Sequence, residues 1–109
     1  MEDFLRAISA LNDDSRVRIL AFLLAYPSCC VCELEASLSM PQSTLSRHLK
    51  ILKEAGFLRI QKVGARSYYE LFFASKMQAA LAEEVRALGL KLPAKIDAEN
   101  VTRCQILGK

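Results

Sequence analysis

Apolar positions along this chain repeat first at helical spacing, then at strand spacing, then at helical spacing again. In the opening segment, Glu2 to Leu11, Phe4, Leu5, Ile8 and Leu11 fall on one stripe of a helix. The next stretch, NDDSRVRILAFLLAYP, supplies an aspartate cap, an acidic first turn, a continuous apolar body and Pro27 as a stop. A third short helix is predicted from about Val31 to Leu38. Ser39-Met40-Pro41 is the following turn, since proline is comfortable in a helix's first turn and hostile to the end of the one before. In a fourth helix, about Gln42 to Glu54, Leu45, Leu49 and Leu52 must face the core, while Ser43, Ser46, Arg47 and Lys50 share the opposite face. Ala55-Gly56 ends it, with glycine where a left-handed residue is wanted.

The period then changes. FLRIQKV and RSYYELF are β-prone segments flanking a glycine-containing hairpin turn at Gly64-Ala65. A last helix from about Ser75 to Leu90 aligns Met77, Leu81, Val85 and Leu88. The remainder, LPAKIDAENVTRCQILGK, has weak periodicity and an early proline, and is expected to be mostly irregular. The pattern therefore implies a single domain over residues 1–90 with a C-terminal tail at 91–109. It is mainly α with a β-hairpin wing: two short helices and a tight turn, then a basic hairpin, which is a winged helix-turn-helix.

Charge sharpens this picture. The net charge of +3 looks modest, yet residues 41–70 carry net +4 and the rest of the chain −1. A basic block of that kind, on the predicted fourth helix and wing, suits double-stranded DNA as partner. The fourth helix fits the major groove through Gln42, Ser43, Thr44, Ser46, Arg47 and Lys50, and the wing adds Lys62 and Arg66. His48 lies toward the apolar side and reads as a packed histidine with one hydrogen bond. A chain 52% hydrophobic and 25% charged is globular rather than disordered. Its longest apolar run, Ile19 to Tyr26, is far short of a membrane span, and no secretory leader is visible, so a cytoplasmic location and reduced thiols are expected.

Three of the four cysteines crowd into SCCVCELE, residues 28–35, with no histidine nearby. Zinc prefers four ligands, usually including histidine when cysteines run short, so three thiols alone suit softer ions better. Cys29 and Cys32 also form a C-x-x-C at a helix N-terminus, where thiol exchange is favoured. Glu33 and Glu35 read as a solvated or capping pair. No phosphate-type loop and no general base accompany the thiols, so the chain does not read as an enzyme.

At this point the sequence resembles the ArsR–SmtB family of metal-responsive winged-helix repressors. NDDSRVRIL, PQSTLSRHLKILKEAGFL and the glycine-tipped hairpin with paired tyrosines carry the resemblance, over about residues 3–90. It implies a homodimer through the first and last helices, here with Phe4, Ile8, Leu11, Met77, Leu81, Val85 and Leu88 as the matching surfaces. One family site, built from Asp, His and Glu on the last helix, cannot exist in a chain whose single histidine is His48. Another, a Cys-Val-Cys at the start of the third helix, matches Cys30-Val31-Cys32-Glu33-Leu34 and implies As(III) or Sb(III) as inducer, with no organic cofactor. The arsenic-responsive repressors often add a third cysteine where this chain has Glu35, which leaves Cys29 or Cys104 to complete the site. On a regular helix, residues two apart point about 200° apart. Gathering Cys29, Cys30 and Cys32 therefore requires a non-helical or unwound first turn. The implied function is a repressor that releases operator DNA on binding the metalloid; the alternative is a redox- or persulfide-sensing repressor using Cys29 and Cys32.

Overall fold

The computed structural model describes residues 1–100. Helix α1 (Glu2–Ala10) leads into α2 (Asp14–Ala25), whose start is fixed by Asp13: its Oδ1 accepts the backbone N–H of Arg16 at 3.1 Å. Helices α3 (Val31–Leu38) and α4 (Gln42–Glu54) match the predicted spans, and between them Ser39 takes a left-handed conformation with φ 56°. Strands β2 (Leu58–Val63) and β3 (Arg66–Leu71) form the wing, turning at Gly64 with φ 62°. Helix α5 (Lys76–Ala87) is shorter than the pattern predicts: the Ser75 hydroxyl caps its N-terminus by accepting the Met77 N–H at 3.3 Å, and Gly89, at φ 62°, follows its C-terminus.

One strand is new. Ser28–Cys30 forms β1, which pairs antiparallel with β3 and extends the wing into a three-stranded sheet of order β1-β3-β2. Cys29 lies opposite Tyr69 and Cys30 opposite Tyr68. Three residues are too few to carry a period-2 signal, and Pro27 reads only as a helix stop.

The core collects α2 and the apolar faces of the helix-turn-helix. Ile19, Leu20, Phe22, Leu23, Leu34, Leu45, Leu49, Leu52 and Phe57 are all fully buried. Each such large side chain removed from water contributes about 1.5–3 kcal/mol. The spacing of Leu45, Leu49 and Leu52 thus fixes which face α4 turns to solvent. Gly56, at φ 90°, ends α4 and steers the chain into the wing, where its carbonyl accepts the Ala74 N–H at 2.9 Å.

After α5, residues 91–97 have no regular structure, as expected of the tail, and Ala98–Asn100 form a 3-10 turn. This segment nevertheless packs on the domain. Leu92 lies against the main core, and Ala98 is buried beside α3. Residues 101–109, and with them Cys104, lie outside the described residues.

Candidate DNA interface and cysteine site

Helix α4 presents the face that its leucine spacing leaves over. Gln42, Ser43, Ser46, Arg47 and Lys50 are exposed, and Thr44 is half-buried. No side chain caps the start of α4, where Pro41 is the N-cap, so the first-turn N–H groups are available to a phosphate. On the wing, Lys62 is exposed and Arg66 half-buried, opposite Val63 across the hairpin. Arg59 is committed to the sheet: its Nε donates to Glu70 Oε2 at 2.6 Å and its guanidinium lies 5.2 Å from the Phe72 ring centre.

His48 is held by a residue that periodicity does not single out. Arg16, near the start of α2, donates from Nε to the Ala10 carbonyl at 2.7 Å, from Nη2 to the Ser9 carbonyl at 3.4 Å, and from Nη1 to His48 Nδ1 at 3.2 Å. An arginine has no acceptor, so the ring is neutral there, with its proton on Nε2. Burial pushes the His48 pKa below 6.5; Asp13 opposes the shift, while Arg16 and Arg47 reinforce it. One guanidinium therefore ties the end of α1 to α4.

The cysteines of the cluster separate. Consecutive residues of a strand point to opposite faces, so β1 sends Cys29 and Cys30 apart. Cys29 is fully buried in the main core, and its thiol donates to the Tyr26 carbonyl at 3.4 Å. Burial pushes it up to about 12, against a weaker opposing pull from Lys95. Cys30, also buried, lies in a second small cluster with Ala98, against which Cys32, Ala36 and Tyr68 pack. Burial likewise raises the Cys30 thiol, opposed by the backbone N–H of Glu33.

Cys30 is the N-cap of α3 in extended conformation (φ −83°, ψ 166°), so the Cys30–Cys32 pair is not held to the separation of about 200° of a regular helix. That conformation does not bring in Cys29. Among the described residues no group of three His, Cys, Asp or Glu side chains is assembled to hold a metal ion. Cys29 and Cys30 are free thiols, whereas Cys32 is disulfide-bonded, which corrects the expectation of reduced thiols throughout. Of the two readings of Glu33, solvated or capping, the structure takes the capping one: it is buried, with Oε1 accepting the N-cap Cys30 N–H at 3.0 Å and Oε2 the Ala98 N–H at 2.9 Å.

The expected dimer surface divides. Phe4, Ile8 and Leu88 are 50%, 41% and 61% exposed, a substantial apolar face for an isolated chain. Val85, at 6%, belongs to the core, and Leu11, Met77 and Leu81 are partly buried against it. No helix among the described residues is long and apolar enough to cross a membrane.

A basic helix standing clear of a helix-turn-helix core, beside a charged wing, defines a DNA-binding transcriptional regulator. The chain belongs to the ArsR–SmtB family of winged-helix regulators: the family described as bacterial regulatory protein, arsR family, matches residues 13–59. The uncharacterised HTH-type transcriptional regulator MJ1325 of Methanocaldococcus jannaschii is 42% identical over 60 residues, covering 55% of this chain and 67% of the relative. The arsenic resistance transcriptional regulator ArsR1 of Pseudomonas putida is 41% identical over 61 residues, 56% of this chain and 48% of that one. The chain thus spans about half to two thirds of the length of these curated relatives. Among solved structures, the homodimeric winged helix-turn-helix DNA-binding domain Mb0332 of Mycobacterium bovis aligns at TM-score 0.65 and 26% identity, covering 81% of this chain and 79% of its own.

Proposed function

We propose that this protein is a homodimeric repressor that releases operator DNA when As(III) or Sb(III) binds thiolates at the start of α3. The observation that carries the reading is the placement of Cys30 and Cys32 together at the N-terminus of the helix that packs directly against α4. The arsenic-resistance role named for the P. putida relative supports the choice of ligand. Residues 1–90 hold the DNA-binding and dimerisation machinery, and 91–109 are an appended tail.

Once Cys32 is reduced, Cys30 and Cys32 fit a soft ion as two thiolate donors. Trivalent arsenic takes a pyramid of three, so a third thiolate comes from Cys104 or from Cys29. Cys29 would first have to leave a fully buried position and lose its proton, and the assignment favours Cys104. Drawing Cys30 toward the ion pulls it out of the N-cap position, unwinding the first turn of α3 and shifting α4. By thermodynamic reciprocity, the metalloid weakens DNA binding by the same factor as DNA weakens metalloid binding, about 5- to 150-fold for a typical coupling.

The disulfide state of Cys32 favours one second reading, a thiol switch. In that reading the bonded pair is not Cys29 with Cys32, since Cys29 is free. Fluorescence anisotropy of labelled duplex, selected by the protein from a randomised pool, separates the two. Release by arsenite in excess reductant, lost in Cys30→Ser and in Cys32→Ser, supports the metalloid reading. Release only by oxidant or polysulfide sinks it in favour of the switch.

A further inference from the structure

Residues 92–98, after α5, supply no ligand in the proposed DNA release, yet they are anchored at four points over the cysteine site. Leu92 is set into the main core. Lys95 Nζ donates to the Ser28 carbonyl at 3.2 Å and lies 3.7 Å from Glu33 Oε1. The Ile96 N–H donates to the Ser37 hydroxyl at 2.8 Å. The Ala98 N–H donates to Glu33 Oε2 at 2.9 Å, which seats Ala98, 4% exposed, on Cys30, 2% exposed.

Glu33 is the joint of this arrangement. A carboxylate 5% exposed is expensive to bury, and an apolar residue would fill the same space at lower cost. Its oxygens are divided: one holds the first turn of α3 through Cys30, the other holds the segment through Ala98. We propose that Glu33 is a positioning residue that latches residues 92–100 as a strap over Cys30, so that a reagent or inducer reaches the thiol only when the strap lifts. The strap rests on the proposed function only for the choice of Cys30 as the thiol to be reached. Because each of these bonds involves a side chain and none belongs to a sheet ladder, it opens locally, without unfolding the domain.

The test needs no metalloid. In full-length protein carrying Cys29→Ala, Cys32→Ser and Cys104→Ser, Cys30 is the single thiol, and its alkylation by iodoacetamide is followed by mass spectrometry. Ala98→Pro removes the N–H that Glu33 receives, and Ser37→Ala removes the acceptor of Ile96; neither changes a charge. Each is expected to accelerate alkylation about tenfold, as loss of one such hydrogen bond allows. The pH midpoint of the rate and the affinity for DNA should stay unchanged. An unchanged rate in either variant, or acceleration accompanied by loss of DNA binding, overturns the strap. Failure of arsenite to release DNA overturns the metalloid reading instead, and leaves the alkylation result standing.

Discussion

Arg47 and Lys50 stand exposed on the face that three buried leucines leave free, and the role proposed for them in DNA binding is electrostatic as well as specific. Arg47→Ala and Lys50→Ala should each weaken binding and lower the slope of log affinity against log salt, by about 0.9 for each phosphate no longer neutralised. Unchanged slopes in both, measured by anisotropy across a salt series, remove α4 from the interface. His48 makes a separate prediction. Its folded pKa lies below its ordinary 6.5, so the unfolded chain takes up the proton first as pH falls. Stability is then full above pH 6.5 and declines as pH drops through and below that value. Denaturant unfolding at a series of pH values should show this decline, and His48→Asn, which keeps an acceptor near the Nδ1 position without titrating, should flatten it.

Among the elements, those with a long period were legible and those without were not. Helix α4 runs over the span its leucines predict, because amphipathic spacing sustained over several turns fixes both bounds and facing. Strand β1 was illegible: three residues carry no period, and without it nothing shows that Cys29 and Cys30 diverge. The clustering of thiols in sequence therefore overstated their clustering in space. The 92–100 segment stayed hidden for a different reason. It is held by polar bonds to Ser37 and Glu33 that hydropathy does not register. Gly56, by contrast, was legible as a helix terminator, and the structure adds a constraint from outside α4. A Cβ there would come within 2.7 Å of Gln78 Nε2 and 2.9 Å of Ala74 Cβ, on a backbone at φ 90°. Gly56→Ala should destabilise the protein by about 1–3 kcal/mol in chemical denaturation, because the strain and the close approach act together.

For the whole molecule, the exposed apolar face of Phe4, Ile8 and Leu88 is where a second copy is expected. Ile8→Asp and Leu88→Asp should sediment as monomers and bind DNA about 100-fold more weakly or worse, since two half-sites are no longer engaged by one linked body. Dimeric sedimentation of both variants would place the interface elsewhere. The register of β1 against β3 carries a last consequence. Cys30 ends the strand paired to the wing and also begins the helix packed on α4. In the proposed reading this segment is the fulcrum of a lever with two arms, one reaching the major groove through α4 and the other reaching the flanking backbone through the hairpin. A disturbance at the fulcrum moves both arms at once, so the grip on DNA should fail as a unit, with no state in which the wing lets go while the helix stays seated.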